Sequence, residues 1–195
     1  MASIDAEPPT DLWGVIHFPW VGRNAVLFPL FLMVLVDLVG GALATALVLS
    51  GSPLSPIVLV VVAGAGLAVG GIVFAMYRTI ARRLGAKDAA TGGGTAPLQT
   101  DGIMIHGFIE SPAVIRFRDG RLRMTPLVGE PLELDRGQIS EVRVRKFHNG
   151  TYYFGDNAAF ALTVPGHAGR VGIIVPRPTR WRAALGVAGA EPAAG

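Results

Sequence analysis

Two long apolar runs dominate the first half of the chain. Residues Ala25–Ser50 contain one charged side chain, and residues Ile57–Tyr77 contain none. Each run exceeds the roughly 20 residues that an α-helix needs to cross the hydrocarbon core of a bilayer. The segment between them, Gly51–Pro56, is short, uncharged and interrupted by prolines, which break helices. The pattern therefore predicts two transmembrane helices, at 25–50 and 57–77, that form an antiparallel hairpin.

Basic residues near the apolar runs predict how the hairpin is oriented. The segment between the runs has no lysine or arginine, whereas four basic residues follow the second run: Arg78, Arg82, Arg83 and Lys87. Because cytoplasmic segments carry the excess of positive charge, we expect a multi-pass protein of the cell (inner) membrane with both termini in the cytoplasm. Residues 1–24 form a cytoplasmic or interfacial segment, and its aromatic residues are expected at headgroup level: Trp13, Phe18 and Trp20. A cleaved signal peptide is disfavoured, because this segment is acidic and the apolar run that follows is too long.

The pattern changes twice after residue 77. Residues 78–100 are first basic and then rich in Gly, Ala and Thr without periodicity, which predicts a juxtamembrane segment that ends in a flexible linker. From residue 101, polar and apolar positions alternate in short runs, which is typical of β-strands. The predicted strands are Gly102–Ile109, Ala113–Arg118, Arg121–Thr125, Pro131–Leu134, Ile139–Phe147, Ala158–Val164 and Arg170–Val175. A short closing helix around Trp181 completes a mostly-β domain at 101–186, and a disordered tail is expected at 187–195.

The order of these elements resembles a known superfold. Seven strands followed by one helix with a tryptophan, and a basic hairpin early in the sheet, resemble the pleckstrin-homology superfold in its bacterial PH-like (GRAM-like) form. The path from Leu122–Thr125 through a turn to Ile139–Val142 is similar to the middle section of that family. The resemblance implies a cytoplasmic small barrel that binds lipid headgroups or protein partners, and a small β-barrel of another type is the alternative. The layout is also similar to that of small actinobacterial membrane proteins that accompany Mce-type lipid importers.

A tight turn at Asp119–Gly120 predicts a surface that is crowded with positive charge. This dipeptide is preferred in the two-residue loop of a type I′ hairpin, which aligns the flanking residues in pairs. Four arginines then share one surface, called the arginine face below: Arg116, Arg118, Arg121 and Arg123. A later strand repeats the pattern, with Arg143 and Arg145 on its outward side. All six arginines are candidate lipid- or anion-binding residues.

The arginine face needs counter-charges, because like charges that face each other across two strands are destabilising. Glu133 and Asp135, which alternate with leucines on a neighbouring strand, are one source. An anionic ligand is the other source, and a basic patch alone does not distinguish the two.

The charge balance favours a membrane surface as the binding partner. The net charge of the chain is +3, but residues 78–182 contain 16 basic and 9 acidic side chains. Each basic residue near an anionic leaflet contributes about 1 kcal/mol of attraction, so anionic phospholipid is the expected partner. Nucleic acid is not expected, because the sequence has no helix-turn-helix, RNP-type aromatic pattern or zinc knuckle.

Three residues within the apolar runs predict an interface with another membrane protein. Asp37 lies near the middle of the first run, where a carboxyl costs roughly 2.5 kcal/mol or more and usually faces a partner. Gly66 and Gly70 form a GxxxG pair in the second run, which lets helices approach closely. Packing of the hairpin against itself is the alternative explanation of the glycines.

Motifs for catalysis are absent from the sequence. The chain has no cysteine, its four histidines lack HExxH or HxH spacing, and no GxSxG or Walker sequence is present. We therefore expect no catalytic residues, metal site, cofactor or small-molecule substrate. The sequence predicts a non-enzymatic integral membrane protein whose cytoplasmic domain binds anionic lipid headgroups or a protein partner at the inner leaflet. The alternative is an accessory or stabilising subunit of a larger membrane complex, such as an Mce-type lipid transporter.

Overall fold

Three helices form the first half of the protein. The computed structural model describes residues 12–53, 55–94, 96–148, 151–152, 157–167 and 169–187. The helices are α1 (Leu12–His17), α2 (Asn24–Leu49) and α3 (Ser55–Ala90). Within the described residues, α2 and α3 are long and apolar enough to cross a membrane. They pack against each other as an antiparallel pair and contain the two predicted apolar runs.

Helix α3 continues well beyond the second apolar run. The region expected to be a juxtamembrane segment and flexible linker, 78–100, is helical through Ala90 and joins the first strand at Leu98. The reason is an apolar stripe that continues the helix period, with Tyr77, Ile80 and Leu84 spaced three and four residues apart. Leu84 is buried, and Tyr77 and Ile80 pack on the β domain. We therefore replace the expected linker with a helical extension of α3 over residues 78–90 and a short connection at 91–97.

The second half folds into a curled antiparallel sheet. Its seven strands run in the order β4-β3-β2-β1-β9-β8-β5, and a separate two-stranded ribbon pairs β6 with β7. The strands are β1 (Leu98–His106), β2 (Ile109–Arg118), β3 (Arg121–Pro126), β4 (Leu132–Asp135), β5 (Glu141–Arg145), β6 (Phe147–His148), β7 (Thr151–Tyr152), β8 (Asn157–Thr163) and β9 (Val171–Pro176). A short helix, α4 (Pro178–Ala184), follows the last strand. The expected fold, a helical hairpin followed by a small barrel of about seven strands with a short C-terminal helix, is confirmed, and the seven-stranded sheet forms a curled half-barrel.

The core of the β domain lies on the inner, concave side of the sheet. Alternate residues of the strands point into it, and α4 adds Trp181, which is completely buried, together with Leu185. Val142 and Val144 of β5 also pack against this core, so Arg143 and Arg145 point outward as expected. The tail expected to be disordered lies, apart from Val187, outside the described residues.

The outer side of the sheet is covered by a segment from the N-terminal part of the chain. Phe18–Val21, called the wedge below, packs on Ile105, Ala159 and Ile174 of the three strands β1, β8 and β9. Asn24 holds this arrangement, because its Nδ2 donates to the carbonyls of Gly14 (3.2 Å) and Phe18 (3.3 Å).

The wedge corrects the expectation for two of the three aromatic residues. Phe18 and Trp20 were expected at headgroup level, but both are buried between the sheet and α3. The outer face of β1, β8 and β9 is apolar at this level, so it gains stability when other apolar groups cover it. Trp13 on α1 stays exposed and remains compatible with an interfacial position.

Candidate functional site

The arginine face has the register that the Asp119–Gly120 turn predicts. Asp119 and Gly120 have positive φ angles of 50° and 74°, as a type I′ loop requires. Arg116 of β2 lies opposite Arg123 of β3, and Arg118 lies opposite Arg121. Four positive charges are therefore held close together by two paired strands.

The acidic residues of β4 lie opposite the arginines of β3. Glu133 is in register with Arg123, and Asp135 with Arg121. Arg121 is 3.1 Å from Asp135 and 3.5 Å from Glu133, and Arg123 is 3.6 Å from Glu133. Glu133 and Asp135 thus supply counter-charge to β3, which is the first of the two alternatives that the sequence left open.

Arg116 forms an ion pair with a carboxylate that the sequence pattern did not indicate as its partner. Its guanidinium forms a two-pronged ion pair with Asp88 near the end of α3, one prong being 2.9 Å long, and its Nε donates to Gln99 Oε1 at 3.0 Å. The side chains of Arg116 and Asp88 are only 11% and 8% exposed. Gly93 covers the pair so closely that an added Cβ would collide with both side chains.

Two more contacts attach the end of α3 and the residue that follows it to this side of the β domain. Arg123 donates to the carbonyl of Thr91, and Lys87 Nζ donates to the carbonyl of Gly129. Arg118 pairs with Asp119 at 3.1 Å on the surface. Each member of the arginine face therefore has an acidic partner, and the face acts mainly as a joint between α3 and the sheet.

Asp101 lies beside this joint and is largely buried. The pKa of its carboxyl is raised to about 6, because burial and, to a smaller extent, the nearby Asp88 both raise it and Arg116 only partly opposes them. Asp101 and Asp88 thus both lie in the field of Arg116, and a proton on Asp101 below about pH 6 reduces the negative charge at the joint.

A second basic surface lies on the outer face of β5, β8 and β9. It is a groove of about 630 Å³, called the basic groove below, whose basic side chains are Arg143, Arg145 and Arg170. Ala161 and Gly172 face each other across β8 and β9, so small residues leave space between these arginines. Phe147, a large exposed apolar residue, also lines the groove.

The charges of the basic groove are only partly balanced. Arg143 donates to Glu141 at 2.7 Å, and this hydrogen bond lowers the pKa of the Glu141 carboxyl. Within the described part of the chain, no carboxylate pairs with Arg145 or Arg170. The guanidinium of Arg170 lies 5.8 Å from the centre of the Phe108 ring. The sequence analysis found Arg143 and Arg145 but missed Arg170, which a loop brings to the same groove.

Contacts with α3 define which end of the sheet is nearer the apolar parts of α2 and α3. Tyr77 and Ile80 of α3 pack near Ile105, close to the end of β1. Asp88, about three turns further along α3, pairs with Arg116. Arg116 is in register with Gln99, close to the start of β1. Strand β1 therefore runs from Gln99 back toward the apolar part of α3. The turn after β1 lies at that end and exposes Phe108 (87%) and Ile109 (66%).

The glycines of the second apolar run contact α2. An added Cβ at Gly66 would collide with the Asp37 carboxyl, and one at Gly70 would lie 3.3 Å from Met33 Cβ. Close packing of the hairpin accounts for both glycines, which is the alternative explanation given above. Asp37 itself is exposed, and no hydrogen bond or ion pair reaches its carboxyl from the described residues.

Asp101 makes the stability of the protein depend on pH. Because the pKa of about 6 in the folded protein lies above the ordinary 3.8, the folded state binds this proton more tightly than the unfolded state. The resulting stabilisation is complete below pH 3.8 and is lost as the pH rises through 6. We expect Asp101→Asn to gain stability relative to the wild type over this range, measured by thermal unfolding of the full chain in detergent micelles.

Asp119→Asn is the matched control for this measurement, because the Asp119 side chain is 82% exposed. Its stability relative to the wild type should not rise over the same pH range. An Asp101→Asn difference that does not change with pH would contradict the placement of Asp101 beside Asp88.

No protein-family model matches the chain, and no curated protein matches it. The architecture of two apolar helices, a curled seven-stranded sheet and a short closing helix therefore rests on the structure alone. The function has to be argued from the residues of the two basic surfaces and of the helical hairpin.

Proposed function

We propose that this is a non-enzymatic, two-span membrane protein whose β domain, a PH-like (GRAM-like) module, binds anionic lipid headgroups at the inner leaflet. The observation that carries the proposal is the contrast between the two basic surfaces. Each arginine of the arginine face has an acidic partner, whereas Arg145 and Arg170 of the basic groove have none among the described residues. A guanidinium without a carboxylate partner is suited to bind phosphate through two parallel hydrogen bonds.

The position of the basic groove supports a membrane surface as its partner. Ile105 both lines the groove and contacts the wedge, which precedes the first residue of α2 by only a few residues. The exposed Phe108 and Ile109 lie at the same end of the sheet, and exposed apolar groups of this kind mark membrane or protein contacts. Arg145 and Arg170 would thus lie within reach of headgroups.

The exposed face of the α3 extension supports the proposed orientation. Arg78, Arg82 and Arg83 follow the apolar run and are exposed, while the opposite face of the helix packs on the β domain. Positive charge at this end of a span favours the cytoplasmic side. In this orientation both termini and the β domain are cytoplasmic.

Removal of two charges from the basic groove should weaken the binding of anionic lipid. We expect Arg145→Gln together with Arg170→Gln to retain fewer phosphatidylglycerol molecules than the wild type, because each basic residue contributes about 1 kcal/mol near an anionic surface. The measurement is native mass spectrometry of the full chain, released from micelles that contain equal amounts of phosphatidylglycerol and phosphatidylcholine.

The matched control removes the same charge from the arginine face. Arg118→Gln together with Arg121→Gln should keep its phosphatidylglycerol, because these side chains already pair with acids. Loss of lipid in this control alone would move the binding site to the arginine face. Equal retention in all three proteins would rule out headgroup binding by either surface.

A second candidate function is supported by Asp37. An exposed carboxyl near the middle of α2, without a partner in the described residues, is costly in lipid and is stabilised by a hydrogen-bonding helix of another protein. The protein would then be an accessory subunit of a larger membrane complex, such as a lipid transporter of the Mce type. One side of the Asp37 carboxyl lies against Gly66 of α3. Its exposed side would therefore form the contact with the other protein.

Substitutions at Asp37 test the accessory role. Asp37→Leu should release a partner that co-purifies in fixed ratio with the wild type, whereas Asp37→Asn should retain it, because an amide still forms hydrogen bonds. Quantitative mass spectrometry of the purified complexes measures the ratio, and Leu38→Ala serves as a control at a neighbouring exposed position. The same ratio for the wild type and Asp37→Leu would exclude Asp37 as the contact.

A further inference from the structure

Two histidines that are far apart in sequence meet at the surface of the β domain. Nε2 of His106, the last residue of β1, lies 3.1 Å from Nε2 of His167, which is in the loop between β8 and β9. The distance between the ring centroids is 5.2 Å, which is longer than the Nε2–Nε2 distance by nearly the width of a ring. The two imidazoles therefore meet through their Nε2 edges and do not stack.

The backbone holds both histidines at this position. His106 is in register with Val171 of β9, and the next residue, Gly107, donates its N–H to the carbonyl of Arg170 at 2.7 Å. The loop on the other side is closed by the N–H of His167, which donates to the carbonyl of Val164 at 3.2 Å. The two rings are thus brought together by the β1–β9 pairing and by a tight turn, independently of the contact between them.

The separation of the two Nε2 atoms matches that of two ligands on one metal ion. Imidazole nitrogens bind Zn²⁺ at about 2.0–2.1 Å, so two neighbouring ligands of a tetrahedral or octahedral ion lie about 2.8–3.4 Å apart. The observed 3.1 Å falls within this range. Both side chains reach the surface, so each ring can turn out of the present edge-to-edge contact until the two lone pairs meet at a common point.

We propose that His106 and His167 form a two-histidine site for a divalent transition-metal ion of the class that prefers imidazole, such as Zn²⁺ or Cu²⁺. Water molecules complete the coordination, because no third histidine, aspartate or glutamate joins the pair within the described residues. A bound ion replaces the contact between the rings and links the end of β1 to the β8–β9 loop. The site does not depend on lipid binding by the basic groove.

Zinc binding to the untagged full chain in detergent micelles tests the proposal. The wild type should bind one equivalent of Zn²⁺ in equilibrium dialysis against excess Mg²⁺, and His106→Gln or His167→Gln should lose it. Loss of an outer-shell partner alone weakens metal binding about 10–100-fold, so removal of a ligand should weaken it at least as much. Cu²⁺ bound to the wild type should show two nitrogen ligands by electron paramagnetic resonance.

His17→Gln is the control, because His17 is an exposed histidine of α1 whose Nδ1 lies 2.7 Å from the carbonyl of Trp13. This variant should bind Zn²⁺ like the wild type. Glutamine retains hydrogen-bonding groups, and equal metal-free melting temperatures will show that all variants are folded. No zinc binding by the wild type, or equal binding by all four proteins, would overturn the site.

Discussion

The buried ion pair between Arg116 and Asp88 connects the helical half of the protein to the β half. Both charges are removed from water, so each depends on the other, and removing one partner of such a pair typically costs 3–5 kcal/mol. The wedge forms a second attachment, which lies near Tyr77 of α3. Tyr77 and Asp88 are eleven residues apart, so the two attachments are separated by about 16 Å along the helix. Two attachments at this separation fix the β domain against α3 in position and in direction.

This joint decides which basic surface is available to a ligand. Arg116 and Arg123 are occupied by α3, and the acids of β4 neutralise most of the remaining charge of the arginine face. The arginines Arg145 and Arg170 of the basic groove take no part in the described contacts of the joint, which leaves them available for the proposed anionic ligand. Rigid attachment also holds the groove and the exposed Phe108 at the end of the sheet nearest the apolar part of α3, which a flexible linker would not do.

Local patterns were sufficient for much of the fold. The apolar runs predicted two long apolar helices, and the Asp119–Gly120 turn predicted the register of the arginine face, because loop type and strand alternation are properties of neighbouring residues. The extension of α3 and the burial of Phe18 and Trp20 were missed, since they depend on covering the outer face of a sheet formed by distant strands. The spacing of Tyr77, Ile80 and Leu84 was the one local signal of the helical extension. Asp88, Arg170 and the histidine pair carried no such signal, because their partners are brought together only by the fold.

The distance distribution between the helical hairpin and the β domain tests the rigid joint most directly. The chain has no cysteine, so spin labels can be placed at Leu49→Cys and Val128→Cys, two exposed positions at the far end of α2 and on the loop after β3. Pulsed electron paramagnetic resonance in nanodiscs should give one narrow distribution of distances between the two labels, because two attachments hold the β domain on α3. A flexible linker over residues 88–100 would instead have a root-mean-square end-to-end distance of about 20 Å, and the measured distribution would be broad. A broad distribution of that kind would contradict the joint and the placement of the basic groove that follows from it.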